Sequence, residues 1–186
     1  AAADLDAWVR TNTAGLIEKS GMLVTPETRA VVQDAVLFAA AWEQEFRYEP
    51  TLPFHAPDGD KDVSYVSGTP EARWADGDRW RAVRLSYDGV LAADVILPNE
   101  GVAPNQLTAE ELADATRELG ASGPDAGMVV MPSFDVAAGV DLLEGLPGLD
   151  LDHLDGILPN GYLEQWSQQA RLQVSAKGTV GAAVTE

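Results

Sequence analysis

The sequence contains no cysteine, and its 186 residues include only two histidines and twelve lysines and arginines. The absence of cysteine excludes a disulfide framework and thiol catalysis, and it leaves the compartment of the protein undecided. The 30 acidic residues give a net charge of -18 at pH 7, and such a surface repels nucleic acids and anionic membranes. No stretch approaches the roughly 18 consecutive apolar residues of a membrane span. We therefore expect neither nucleic acid nor membrane as a partner.

Sequence motifs of enzymes are also missing. The chain has no G-x-S-x-G, no G-x-x-x-x-G-K phosphate loop, no H-E-x-x-H and no G-x-G-x-x-G. His55 and His153 lie far apart in acidic, turn-rich segments. The acidic segment 150–156 resembles a calcium loop, but its third carboxylate comes three places after the second instead of two, which favours a solvated turn. We predict no metal, no cofactor and no catalytic residue; an acidic hydrolase whose triad is assembled only by folding is an alternative.

Hydrophobic periodicity predicts a few helices among many strands. Residues 4–19 carry apolar side chains at helical spacing as far as Thr13 and Gly15, and Thr108 with Glu111 forms a capping box that opens a helix. Strand-like segments lie between turn residues at 63–67, 71–74, 80–87 and 91–97, a β-meander, and at 128–136 with a break at Pro132. Polar and apolar residues alternate over 166–176. Strands with segregated helices predict an α+β fold with predominantly antiparallel sheets.

Two polar residues stand in apolar settings. Residues 30–42 are apolar at both parities, which favours a long strand buried on both faces, with a helix as the alternative because of the alanines. Asp34 lies within this segment, and Gln168 shares parity with the apolar side of 166–176. A buried carboxylate needs a donor, and Gln168 can donate. A direct contact between them, or separate bonds to water or backbone, would each meet this need.

The run from Lys177 to Glu186 consists mostly of small residues. It is typical of a flexible tail, but β-branched Thr and Val also favour extended structure. Its odd-numbered side chains from Thr179 onward are small and uncharged: Thr179, Gly181, Ala183 and Thr185. Such a face can enter a packed sheet without overfilling it.

Ordered motifs along the whole chain resemble those of the serpin family, in particular its prokaryotic members. Trp8-Val9 with Thr13, Gly15 and Ile17 resembles the family segment W-V-x-x-x-T-x-G-x-I. Further similar landmarks follow in family order, namely 34–46 with Trp42 and Phe46, Leu52-Pro53-Phe54, Ile96-Leu97-Pro98, Met131-Pro132-Ser133-Phe134 and Asp141-Leu142. The resemblance implies that residues 1–186 are the central to C-terminal part of a single serpin domain, with the hinge and proximal reactive loop at 176–186.

The resemblance also implies roles for individual residues. The hinge and loop comprise Ala176, Lys177, Gly178, Thr179, Val180, Gly181, Ala182, Ala183 and Val184. Asp34 and Gln168 take the positions of the central shutter contact, where inhibitory members commonly have Asn and His, and Trp42 takes that of the breach, where the loop enters the main sheet. Ala176 departs from the usual Glu of the hinge.

A function follows from the same resemblance. It implies an inhibitor, not an enzyme, whose loop is cleaved by a chymotrypsin-like or subtilisin-like serine protease and then inserts as a new strand into the main sheet, in a protein that acts as a monomer. Loop insertion of this kind is a general example of strand addition and released strain. A non-inhibitory serpin acting as carrier, chaperone or structural protein is the main alternative. The bond to be cleaved is expected beyond Glu186, so the sequence does not identify the target.

Overall fold

A computed structural model of the chain describes residues 1–56, 59–145, 156, 159 and 161–186. The fold is α+β with antiparallel sheets and few helices, as predicted. The helices are α1 (Ala2–Asn12), a 3₁₀ helix (Pro104–Gln106), α2 (Ala109–Ala121) and the short α3 (Leu142–Gly145). The strands are β1 (Asp34–Ala41), β2 (Arg47–Ala56), β3 (Gly59–Gly68), β4 (Glu71–Asp76), β5 (Trp80–Ser86), β6 (Ala92–Pro98), β7 (Pro124–Ala126), β8 (Val129–Pro132), β9 (Phe134–Asp141), β10 (Ser167–Ser175) and β11 (Gly178–Thr185).

The described strands form three sheets. One has the order β1-β11-β10-β9, the second β2-β3-β8 and the third β6-β5-β4-β7. The chain divides into two compact units, the first formed by 1–39, 135–173 and 180–186, and the second by 40–134 and 174–179.

In the first unit, Thr13 shapes the exit from α1. Its side chain is fully buried, and its hydroxyl lies 2.8 Å from the Val9 carbonyl oxygen and 3.0 Å from that of Ile17. The same oxygen accepts the Ile17 N–H at 3.1 Å. Gly15 follows with a φ of +79°, a conformation that favours glycine. This turn delivers Ile17 to an apolar cluster, which explains why Thr and Gly occur at these spacings.

That apolar cluster joins α1 to β11. Val9, Ile17, Ala182 and Val184 are buried in it, and Leu16 and Ala35 pack against its edge. Alternate residues of a strand point to the same face of the sheet, so Ala182 and Val184 both face α1. The cluster is therefore the main apolar contact between the last strand and the N-terminal helix.

In the second unit, the capping box is confirmed, and the predicted meander is confirmed only for its last three strands, because the strand at 63–67 is part of β3 in another sheet. β5 pairs with β4 and with β6, both antiparallel. The Thr108 hydroxyl accepts the Glu111 N–H at 3.2 Å, and the Glu111 carboxylate accepts the Thr108 N–H at 2.7 Å. Trp80, Ala82, Ala115 and Leu119 form the core between this sheet and α2. The break at Pro132 is also confirmed, since β8 ends there and β9 begins at Phe134.

The prediction of a strand at 30–42 is confirmed only in part. β1 begins at Asp34, and its residues are exposed or half-buried, so burial on both faces is wrong for this chain. Within the described part of the chain, neither face of β1 is fully covered by other elements, since exposed and half-buried residues occur at both parities. The apolar side of β10 is also open: Ala170 and Leu172 are exposed, with Leu172 at 40%.

We expect Thr13→Val to lower the free energy of unfolding of the full-length protein by about 1 to 3 kcal/mol, because it leaves the buried Ile17 N–H without its acceptor at nearly constant volume. Urea unfolding followed by circular dichroism measures this. Thr11→Val is the matched control, since the Thr11 hydroxyl bonds the Ala7 carbonyl on an exposed side of α1. Equal stability of the two variants would contradict the assigned role of Thr13.

Candidate functional site

The sequence 178–185 forms a full strand, β11, which lies between β1 and β10. Ser167 and Glu186 exchange both backbone hydrogen bonds, each 2.9 Å long. This reciprocal exchange is the pattern of an antiparallel ladder. The small-residue run is therefore a strand in this structure, in the extended conformation that its Thr and Val residues favour.

Three aromatic side chains of the second unit pack together beside the start of β11. The indole of Trp42 stacks on the ring of Tyr87, with 4.4 Å between ring centroids and 11° between planes. Phe46 meets the same indole edge-on at 5.8 Å. All three side chains are buried, and we call them the tryptophan cluster. Such packing fixes ring positions strongly because aromatic side chains bury large apolar areas.

The tryptophan cluster holds the backbone of the predicted hinge. The Trp42 indole N–H donates to the Ser175 carbonyl at 2.9 Å. The Trp42 backbone N–H donates to the Lys177 carbonyl at 3.0 Å, and the Phe46 N–H donates to the Ala176 carbonyl at 2.9 Å. Three consecutive carbonyls, that of Ser175 and those of the first two residues of the predicted hinge, are thus bound by the cluster, which places the turn between β10 and β11 directly beside Trp42.

Gly178 passes too close to β1 for any side chain. A Cβ atom built there would lie 2.1 Å from the carbonyl oxygen of Ala40 and 2.8 Å from the Cα of Ala41. Both contacts are with backbone atoms, which cannot rotate away as a side chain can. Glycine at position 178 is therefore a steric requirement of the observed approach of the chain to β1.

Thr179 is the most deeply buried of the odd-numbered loop side chains, with 5% of it exposed. The Tyr87 hydroxyl donates to the Thr179 hydroxyl oxygen at 2.7 Å. Burial raises the pKa of Tyr87, although its bond to Thr179 acts in the opposite direction. The phenol therefore stays protonated and able to donate at neutral pH.

The remaining loop residues lie in the first unit. Ala182 and Val184 are buried against α1, and Val180, Gly181 and Ala183 are half-buried. A Cβ at Gly181 would approach the Leu172 side chain to 3.1 Å. The sequence drew attention to the odd-numbered face, but from Ala182 onward the even-numbered side chains are the more deeply buried.

The two predicted shutter residues are not hydrogen-bonded to one another here. The Gln168 amide donates to the Thr185 hydroxyl at 3.1 Å. The Asp34 side chain is exposed, and within the described ranges it has no hydrogen-bond partner. The expectation of a buried Asp34 that requires a donor is therefore wrong for this structure, because its side chain is exposed and β11 lies between the two strands.

An ionic group that the sequence analysis did not identify connects β9 to β10. The Asp135 carboxylate accepts two hydrogen bonds from the Arg171 guanidinium, at 2.8 and 2.7 Å, and a third from the Gln173 amide at 2.8 Å. Arg171 also donates to the Leu16 carbonyl at 3.2 Å. The bonds from Arg171 and Gln173 lower the pKa of Asp135 to about 2. The spacing of Arg171 and Gln173 by two residues predicts that both lie on one face of β10, but it does not identify the strand that carries their partner.

Metal and membrane sites find no support in the described ranges. Over residues 1–56, 59–145, 156, 159 and 161–186 there is no cluster of three metal-ligating side chains, and no helix is long and apolar enough to cross a bilayer. His55 forms an exposed pair with Asp60 at 2.7 Å. The calcium-like segment 150–156 and His153 lie outside the described residues, apart from Gly156.

Comparison with known proteins identifies the family. The family model described as "Serpin (serine protease inhibitor)" matches residues 1–186, and the chain therefore belongs to the serpin family. An uncharacterized serpin-like protein of Thermococcus kodakarensis is 36% identical over 104 residues, which cover 54% of this chain and 24% of that protein.

Solved structures show the same fold. Thyroxine-binding globulin complexed with thyroxine-fluorescein superposes with a TM-score of 0.84 at 20% identity, covering 100% of this chain and 59% of the other. The thermophilic serpin Tengpin, in the latent state, gives a TM-score of 0.80 at 20% identity, covering 99% and 55%. The chain thus spans little more than half the length of these proteins.

Asp135 predicts an acid-dependent stability. Its pKa is depressed from an ordinary 3.8 to about 2, so its contribution is fully present above about pH 4 and disappears as the pH falls toward 2. We expect the thermal midpoint of the full-length protein to fall less steeply over this interval in Asp135→Asn than in the unaltered protein. Parallel slopes would contradict the assignment. Asp62→Asn, at an exposed position on β3, is the control and should leave the slope unchanged.

Proposed function

We propose that this chain is the central to C-terminal part, with the hinge and proximal reactive loop at 176–186, of an inhibitory serpin that traps a chymotrypsin-like or subtilisin-like serine protease and acts as a monomer. The observation that carries the proposal is the position of β11, which lies between β1 and β10 as one strand of the sheet. In this proposal Trp42 forms the breach, and Asp34 and Gln168 flank the path of the loop as the shutter.

The proposed reaction begins outside the sheet. The protease serine oxygen attacks the carbonyl carbon of a loop peptide bond beyond Glu186; that C–N bond breaks, the amine leaves with a proton, and an ester joins loop and protease. The freed segment then enters the sheet and carries the protease with it. Displacement of the protease before water reaches the ester leaves the complex covalent.

Strand formation supplies the driving force. β11 comprises eight residues, and at about 1 kcal/mol net per hydrogen bond its pairing contributes on the order of 10 kcal/mol. Burial of Ala182 and Val184 against α1 adds an apolar contribution. The small residues at Gly181, Ala182 and Ala183 support the inhibitory proposal because they allow entry without a clash.

A non-inhibitory serpin is the second candidate. The family includes non-inhibitory members such as thyroxine-binding globulin. The observation that favours this candidate is Ala176, which stands where inhibitory members usually carry Glu and has its carbonyl bound by Phe46. Incubation of the full-length protein with a panel of serine proteases distinguishes the two, since only an inhibitor gives an adduct that survives a denaturing gel.

Thr179→Arg should convert the inhibitor into a substrate. The larger side chain replaces one that is 5% exposed and bonded to Tyr87, and burial of an unpaired charge costs on the order of several kcal/mol. Insertion should slow, so that water hydrolyses the ester first. The measurement is the ratio of covalent complex to cleaved inhibitor on a denaturing gel.

Val90→Arg adds the same side chain at a position that is 99% exposed, and serves as the control. It should leave the ratio at the value of the unaltered protein. An undiminished ratio for Thr179→Arg would contradict the proposal that Thr179 becomes buried beside the tryptophan cluster when the loop inserts.

A further inference from the structure

We propose that the segment between α1 and β1 forms a cradle that binds the Glu186 carboxylate in preference to an amide. Glu186 is then a positioning residue, and this contact stabilises β11 in its place between β1 and β10. The inference rests on the proposed function, since it concerns the end of the strand that the loop forms. The cradle consists of Ser20, Gly21 and Gln33, and the name is used for these three residues below.

The Glu186 carboxylate is almost enclosed, with 7% of the residue exposed. One carboxylate oxygen accepts the Ser20 hydroxyl at 2.7 Å and the Gln33 amide at 2.5 Å. The other accepts the Gly21 backbone N–H at 2.6 Å. Among the described residues no lysine or arginine forms an ion pair with it. The charge is therefore held entirely by neutral donors.

This arrangement selects a carboxylate over an amide. All three groups of the cradle donate, and an ionised carboxylate offers two acceptor oxygens and no donor. A glutamine side chain of the same length would direct its NH₂ group either at the Gly21 N–H, which can only donate, or at Ser20 and Gln33, which would have to turn and accept instead of donating. Buried donors without an acceptor are destabilising, and hydrogen bonds to a charged group are stronger than those to a neutral one.

The position of Glu186 follows from the period of the strand. Val184 and Glu186 are two residues apart and so lie on the same face. Val184 packs in the apolar cluster with Val9 and Ile17. The next side chain on that face is the carboxylate, and it meets the segment that leaves α1. A slip of one residue would turn Glu186 to the opposite face, so the cradle cannot accept the side chain in that register.

The cradle is held in place by bonds of its own. The Ser20 N–H donates to the Asp6 carboxylate at 2.9 Å, and the Ser20 hydroxyl oxygen accepts the Met22 N–H at 3.1 Å. The Gln169 amide donates to the Lys19 carbonyl at 3.1 Å, which ties the segment to β10. At Gly21 a Cβ atom would lie 2.6 Å from the Ser167 hydroxyl oxygen and 3.5 Å from the carboxylate. Glycine thus permits the close approach that brings its N–H to Glu186.

The test compares Glu186→Gln with the unaltered full-length protein before and after one cut in the loop beyond residue 186. In the unaltered protein we expect the cut to raise the thermal midpoint, because the freed segment seats as β11. In Glu186→Gln we expect an unchanged midpoint for the intact protein and a gain on cleavage that is smaller by roughly 2 to 6 °C. Glu100→Gln, at an exposed turn, is the matched control and should retain the full gain.

The outcomes separate the two proposals. No gain in the unaltered protein would overturn the proposed function. A normal gain there together with an equal gain in Glu186→Gln would overturn the cradle and leave the proposed function intact.

A double-mutant cycle with Gln33→Ala provides a second measurement: the loss from Glu186→Gln should shrink in that background, since the effects of substitutions at contacting residues are not additive. Full additivity would contradict the contact.

Discussion

The structure depends on backbone pairing of the last strand with the two strands beside it. Main-chain hydrogen bonds carry little sequence information, so β11 could seat in more than one register were it not for its side chains. Gly178 permits the approach to β1 at one end, and Thr179 meets a hydroxyl of the tryptophan cluster. Further along, Val184 fills an apolar site beside α1. The pairing provides the bulk of the stabilisation, and these side chains specify where it begins and ends.

The segment between α1 and β1 makes specific contacts with β10 and β11 in addition to connecting the two elements. It begins with the turn organised by Thr13, contributes Ile17 to the apolar cluster, and then presents the hydroxyl and N–H of Ser20 and Gly21. Its bonds to Asp6 and Gln169 anchor it on both sides. Because Ser20 and Gly21 bond Glu186, this segment gains hydrogen bonds only when β11 occupies its place in the sheet.

Local sequence signals predicted much of the fold. The capping box at Thr108, the meander from β4 to β6 and the break after Pro132 are each decided by neighbouring residues, and they are confirmed. The strand at 63–67, predicted as part of the same meander, belongs to another sheet. Two features could not be found in this way. The Asp135 group joins residues on separate strands, and the Glu186 contacts join residues more than 150 positions apart. Both depend on strand register and on the path of a connection. The exposure of Asp34 was missed because apolar neighbours suggested burial, whereas the described residues leave both faces of β1 partly uncovered.

The first unit contains two carboxylate contacts, those of Asp135 and Glu186, that differ in their dependence on ionic strength because their donors differ in charge. Asp135 and Arg171 are an oppositely charged pair near the surface, and mobile counterions weaken such a pair as ionic strength rises. The carboxylate of Glu186 is enclosed by a hydroxyl, a peptide N–H and an amide, groups around which counterions do not condense. We therefore expect high salt to weaken the contact between Asp135 and Arg171 more than the contacts of Glu186.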